Sequence, residues 1–172
     1  EYHERVHNNA FTNLMVAHTF EVCLNVAAHL QKHSPQAYLD LVDKLNFESE
    51  LNIIAELAQS FYLPIPDAPG AVIPQFDGYF NLADVPLKTL LERKLHPHEY
   101  LGGGNGLATT TQIIKQADVV LALYLFSDKF SLQAKAANWE YYEPRTEHGS
   151  SLSACIYALV AADIGKSDWA YG

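Results

Sequence analysis

The densest set of groups able to do chemistry lies in Tyr141-Tyr142-Glu143-Pro144-Arg145-Thr146-Glu147-His148-Gly149-Ser150-Ser151-Leu152-Ser153. Gly149-Ser150-Ser151 leads into an apolar stretch that reads as a helix. The first N–H groups of a helix have no intrahelical partners, and its dipole is positive at that end. A glycine and two hydroxyls at such a start make an anion cradle. Arg145 and His148 would add side-chain donors. The same residues also fit an ordinary N-cap, with Ser150 or Ser151 closing the helix. Taken by itself, the local pattern leaves both readings open.

Other groups could act. Glu1, His3, Glu4, His7, Asn8 and Asn9 open the chain. Carboxylates beside imidazoles can do acid–base work, or they can simply form a polar approach to a helix. Lys115-Gln116 interrupts an apolar run, where a lysine must snorkel, pair or face a polar cavity. The eight histidines do not form His-Glu-x-x-His, and there is no Cys-x-x-Cys, so no metal site is expected. His18, His29 and His33 read as core or rim residues. Gly102 to Gly106 lacks the Gly-Lys-Ser/Thr ending of a phosphate loop and reads as a mobile or tightly turned loop.

Composition narrows the partners. The 172 residues are 49% hydrophobic, enough for one buried core. A net charge of -9 argues against nucleic acid and anionic membrane, though not against a small anion held locally. The longest apolar run, Ala117 to Phe126, is broken by Asp118 and is too short to span a bilayer. Cys23 and Cys155 sit in apolar runs and read as small buried hydrophobes, which fits a reducing, cytoplasmic setting. The chain opens on Glu1-Tyr2-His3 without Met and closes in mid-pattern on Trp169-Ala170-Tyr171-Gly172. A fragment of a longer polypeptide, truncated at both ends, is therefore expected.

The elements that must hold these groups are helical. Phe11, Leu14, Met15, His18, Val22, Val26 and His29 recur at helical spacing, which predicts a helix from Asn9 to Lys32. Ser34-Pro35 starts another, to about Leu45. A third runs from Phe47 to Gln59. Tyr62 to Asp84, rich in Pro and Gly, predicts a long ordered loop with an extended piece at Val72-Ile73. A short helix is expected from Pro86 to about Arg93. An apolar helix is expected from Thr111 to Phe126, capped by Thr109 or Thr110. Ser131 starts the next, to about Tyr142. The last spans Ser151 to Ile164 and stops at Gly165. Six or seven helices with little strand signal predict an all-α fold.

Three segments together carry a resemblance. Glu1-Tyr2-His3-Glu4-Arg5-Val6-His7-Asn8-Asn9-Ala10-Phe11-Thr12-Asn13, Lys115-Gln116-Ala117-Asp118-Val119-Val120 and Tyr141 to Ser153 resemble, in order, motifs of glycoside hydrolase family 65. That family comprises mainly disaccharide phosphorylases, with some trehalose hydrolases. The resemblance implies a partial catalytic domain over 1–172, part of an (α/α)6 barrel built from helical hairpins with long loops. It implies Glu1 as the general acid, and Lys115 and Gln116 as substrate-binding residues. It implies that His148, Gly149, Ser150 and Ser151 hold phosphate.

The implied reaction is attack of phosphate on an α-linked glucose disaccharide with inversion, giving β-glucose 1-phosphate and a released sugar. Phosphate is a co-substrate, and no cofactor or metal is implied. A phosphorylase can omit the water-activating base of an inverting glycosidase, because phosphate is already an anionic nucleophile. Glu1 would need a raised pKa to hold its proton. Ile73 to Phe80 and His96 to Gly106 look closest to the kojibiose and nigerose branch, with maltose and trehalose phosphorylases open. The full-length protein is expected to be a homodimer. Half a barrel leaves apolar faces uncovered, so the isolated chain should not catalyse phosphorolysis. Two alternatives stand beside this one. A trehalase-like hydrolase would need a base, for which Glu143 and Glu147 are the nearest candidates. A non-catalytic helical binding domain would place Glu1 far from Ser150.

Overall fold

The computed structural model describes residues 2–171. Glu1, the expected general acid, lies outside the described residues. The fold is all-α, and no helix among the described residues is long and apolar enough to cross a membrane. The chain forms two compact units, one of residues 12–63 and one of residues 2–11 with 64–171.

The 12–63 unit holds most of α1 (Ala10–His33), then α2 (Pro35–Leu45) and α3 (Phe47–Ser60). Pro35 stands at the start of α2 as expected, but the Ser34 side chain makes no capping bond. Asn46 turns α2 into α3 with φ 50, a left-handed conformation that Asn tolerates. Aromatic edges hold the hairpins, with Tyr38 against Phe47 and Phe20 against Phe61. Leu14 and Ala27 are buried, yet no residue of α2 or α3 is.

The other unit contains α4 (Leu87–Leu91), α5 (Val119–Leu125), α6 (Leu132–Tyr142), α7 (Ser151–Asp163) and α8 (Ser167–Tyr171). Helices α5, α6 and α7 pack on one another, and α8 packs on α7. Val120, Leu123, Trp139, Tyr142, Tyr157 and Val160 fill their core. Each such side chain contributes about 1.5–3 kcal/mol by leaving water. The buried tyrosines also pin loops. Tyr79 donates to the Gln112 carbonyl at 2.6 Å, and Tyr142 donates to the Ile73 carbonyl. The long proline-rich loop is ordered from α6. Asn138 accepts from Ile73 N–H at 2.8 Å and donates to the Ala71 carbonyl at 3.2 Å.

The ends of α6 and α7 follow the sequence. Ser131 Oγ accepts from Ala134 N–H at 3.1 Å. Gly165 takes φ 79 beyond α7, and Lys166 N–H closes on the Ala161 carbonyl at 2.8 Å.

The expected helix from Thr111 to Phe126 is wrong over its first half. Residues 111–118 form an irregular, largely buried stretch with two isolated bridges, and only Val119–Leu125 is helical. Thr111 forms a parallel bridge with Ala83, and Ile114 forms one with Thr146. The backbone groups are satisfied there without a helix: Gln112 N–H donates to Ala83 and Ile114 N–H to Arg145, each at 2.9 Å. Ile113, Ile114 and Ala117 are too few apolar residues to fix a period there, so the helical spacing of 119–126 extends over them by default. Thr109 caps nothing; its hydroxyl donates to the Gly106 carbonyl at 2.7 Å. The cysteines also depart from expectation, since Cys23 is half-buried and Cys155 exposed.

Candidate functional site

The parallel bridge between Ile114 and Thr146 brings two of the three chemistry-bearing segments side by side. Glu147 N–H donates to the Ile114 carbonyl at 2.9 Å, one residue before Lys115. Ala117 N–H donates to Ser153 Oγ at 3.2 Å, and that same hydroxyl lies 3.0 Å from His148 Nδ1. Residues 114–117 are thus tied to 146–153 at two points.

Within the buried stretch from Thr111 to Val120, Lys115 and Gln116 alone are half-exposed. Their side chains are left available by packing that buries their neighbours. The Lys115 ammonium stands 5.4 Å from the centre of the Tyr100 ring. This is a cation–π contact on a lysine that lies in the irregular segment, not on a helix.

His148 adopts φ 56, a left-handed conformation uncommon outside glycine but tolerated better by histidine than by most residues. One lone pair of Ser153 Oγ accepts from Ala117, which lets its hydroxyl proton go to His148 Nδ1. When the hydroxyl donates, Nε2 of the neutral ring carries the proton; when Nδ1 donates, Nε2 is an acceptor. Nε2 is buried and has no partner among the described residues. It is therefore a buried polar atom open to a partner outside the described residues. Gly149 follows, and a side chain there would collide with the Glu147 carboxylate. Ser150 has the extended backbone of an N-cap and accepts from Leu152 N–H at 3.4 Å, opening α7. Ser151 is exposed at its first turn. The N-cap reading thus holds for Ser150.

Arg145, expected as a further anion donor, is occupied elsewhere. It grips Asp84 through Nε at 3.0 Å and Nη2 at 2.6 Å, donates to the Tyr141 carbonyl, and stacks on the Tyr141 ring.

The N-terminal segment meets this junction. Tyr2 is buried, packs edge-on to Tyr100, and donates its hydroxyl proton to Glu147 Oε2. The Gly102–Gly106 loop wraps it. Gly103 N–H donates to the Tyr2 carbonyl at 3.3 Å, and a Cβ on Gly102 would stand 2.8 Å from Tyr2 Cδ1. The loop is tightly turned, as its glycines predict. His3 Nε2 lies 2.8 Å from the Thr111 carbonyl, and burial lowers its pKa below the ordinary histidine value. The neutral ring thus donates from Nε2.

Two cavities border these segments. One, of about 490 Å³, is lined by His3, Glu4, Arg5, Phe76, Gly103 and Thr109 among others. The second, of about 610 Å³, has Glu143, His148, Ala154, Cys155 and Trp169 in its wall. Sequence reasoning missed Tyr2, Tyr100, Glu147 and Ser153 as parts of the junction. The run of glycines at 102–106 was the available signal, since close backbone approach demands an absent Cβ.

Buried below the junction, Asp118 accepts from Asn9 Nδ2 and Gln75 Nε2, each at 2.9 Å. Burial raises its pKa despite those two donors.

The family model for the glycosyl hydrolase family 65 central catalytic domain matches residues 1–172. The chain is 43% identical to a nigerose phosphorylase of Lachnoclostridium phytofermentans, over 99% of this chain and 23% of that protein. It is 38% identical to a 1,2-alpha-glucosylglycerol phosphorylase of Bacillus selenitireducens, over 99% of this chain and 22% of that one. Among solved structures it resembles a candidate kojibiose phosphorylase from the human microbiome, with a TM-score of 0.81 and 27% identity, over 98% of this chain and 23% of the other. The chain thus spans under a quarter of the length of the relatives it matches.

Proposed function

The chain belongs to glycosyl hydrolase family 65, and from that premise we propose that the polypeptide carrying it is an inverting phosphorylase of α-linked glucose disaccharides. Phosphate attacks the anomeric carbon, the glycosidic bond breaks, and β-glucose 1-phosphate leaves with a free sugar. Glu1 protonates the departing oxygen. Lys115 and Gln116 bind the sugar. His148 Nε2 and the N–H groups opened by Gly149, Ser150 and Ser151 hold the phosphate, replacing its hydration with fixed donors. The 172 residues are read as one part of a larger catalytic barrel, and alone they would not turn substrate over.

The observation that carries this reading is the contact between Tyr2 and Glu147. It joins the residue after Glu1 to a residue two places before Gly149. Acid and nucleophile must reach one anomeric carbon from opposite sides, so their segments have to be neighbours. The names of the relatives, all three phosphorylases, point the same way.

A hydrolase would use Glu147 or Glu143 to activate water. The Glu147 carboxylate already accepts from Tyr2, which disfavours it as a base. Turnover of α-linked diglucosides by the complete polypeptide, with and without inorganic phosphate, decides between the two. Phosphorolysis predicts product only with phosphate, appearing first as the β anomer by NMR. Equal glucose release without phosphate would establish the hydrolase. No turnover of any sugar would favour a binding domain.

A further inference from the structure

Glu147 sits between parts of the site that are far apart in the chain. Its Oε2 accepts from the hydroxyl of Tyr2, 145 residues away. The same oxygen lies 2.3 Å from where a Cβ on Gly149 would stand. The backbone of Glu147 is fixed by its bond to the Ile114 carbonyl. A carboxylate this close to the start of α7 is itself a ligand for that helix end, because negative charge is favoured there. Left loose, it would compete with phosphate for the donors at Ser150 and Ser151, and it would repel the phosphate as well.

Building on the phosphorylase reading, we propose that Tyr2 and Glu147 are positioning residues. The Tyr2 phenol holds the Glu147 carboxylate beside Gly149 and off the donors at Ser150 and Ser151, and the missing side chain of Gly149 leaves the room for it. Tyr2 cannot move aside easily. Its ring is buried against Tyr100 and Gly102, and its carbonyl is bonded to Gly103. Loss of the phenol oxygen alone would therefore release the carboxylate and leave the ring in place.

Charge and geometry separate by substitution. Tyr2→Phe removes the restraint and should weaken phosphate binding about tenfold, as expected for one hydrogen bond to a charged group. Glu147→Gln keeps an acceptor for the phenol and removes the charge, so phosphate affinity should stay near wild type. The double variant Tyr2→Phe/Glu147→Gln has a loose side chain without charge and should recover to within about threefold of wild type. Affinity for the disaccharide should be unchanged throughout.

The measurement is calorimetric titration of the complete polypeptide with inorganic phosphate, alongside turnover. Tyr2→Phe binding phosphate as tightly as wild type would overturn the proposal. So would a double variant as weak as Tyr2→Phe, since that marks a role in folding alone. Should Tyr2→Phe not fold, Glu147→Asp, too short to reach the phenol, must show the same loss. A wild type that binds phosphate but cleaves no disaccharide removes the phosphorylase reading and leaves the restraint to the binding cycle. A wild type that binds no phosphate overturns both.

Discussion

The helices of residues 12–63 and the loop-rich remainder are built on opposite terms. In the first unit α2 and α3 bury nothing, and Val22, Val26, Ile53 and Leu57 are exposed. In the second, fourteen residues of the two core clusters are sealed to 1% or less, and side chains fix the loops. The regular helices are the loosely packed part, whereas the irregular segments are over-determined. Catalytic geometry needs groups held to within a fraction of an ångström, so chemistry belongs in the over-determined unit. All the candidate site residues described lie there, in the stretches 115–116 and 148–151.

The comparison is sharpest for side-chain truncation. Tyr142→Ala removes a sealed ring and its bond to Ile73, and should cost about 3–5 kcal/mol. Leu57→Ala, at a side chain 46% exposed, should cost under about 1 kcal/mol. Hydrogen exchange of α3 and α6 in the complete polypeptide reads both. A large loss at Leu57 would show that another part of the polypeptide covers that helix, and would erase the contrast.

Glycines test the loop at a smaller scale. A Cβ on Gly106 would overlap the carbonyls of Leu101 and Gly102, which are backbone and cannot swing away. Gly104 has open space around its Cβ position. Gly106→Ala should cost about 1–3 kcal/mol and Gly104→Ala within about 0.5. Equal thermal shifts for the two would mean the loop does not clamp Tyr2 as described.

Caps come next. Ser131→Ala removes a formed cap and should cost about 1 kcal/mol, while Ser34→Ala, where no capping bond forms, should fall within about 0.5. Denaturation midpoints of the two variants make the check.

The smallest effect is in pH dependence. Burial holds the Asp118 carboxyl above its ordinary value, so the folded state binds that proton more tightly than the unfolded state. This contribution is complete below the unfolded value near 3.8 and is lost as pH rises through the folded one. Asp118→Asn removes it. The variant's melting temperature relative to wild type should therefore climb as pH rises above about 4 and then level off. A flat difference would place Asp118 in a more polar setting than its two amide donors define.

Much of this contrast could be read from the residues. Helical spacing located α1, α2, α3, α6 and α7 to within a residue or two, and Ser131 and Gly165 marked their ends through known cap chemistry. The stretch 111–118 could not be read, because its few apolar residues carry no periodicity to separate helix from irregular chain. Arg145 looked free for an anion because its partner Asp84 is distant in sequence. The Tyr2–Glu147 contact was invisible for the same reason. The motif at 148–151 was visible early, since a helix start announces itself locally, while the residues that orient it arrive from elsewhere in the chain.

The central claim is that the anion cradle at the start of α7 and the acid at Glu1 serve one anomeric carbon. A crystal structure of the complete polypeptide with inorganic phosphate tests it most directly. The account predicts phosphate within hydrogen-bonding distance of His148 Nε2 and the N–H groups of Ser150 and Ser151, with the Glu1 carboxyl facing the same hollow. Phosphate bound elsewhere, or Glu1 turned into a separate hollow, would contradict it.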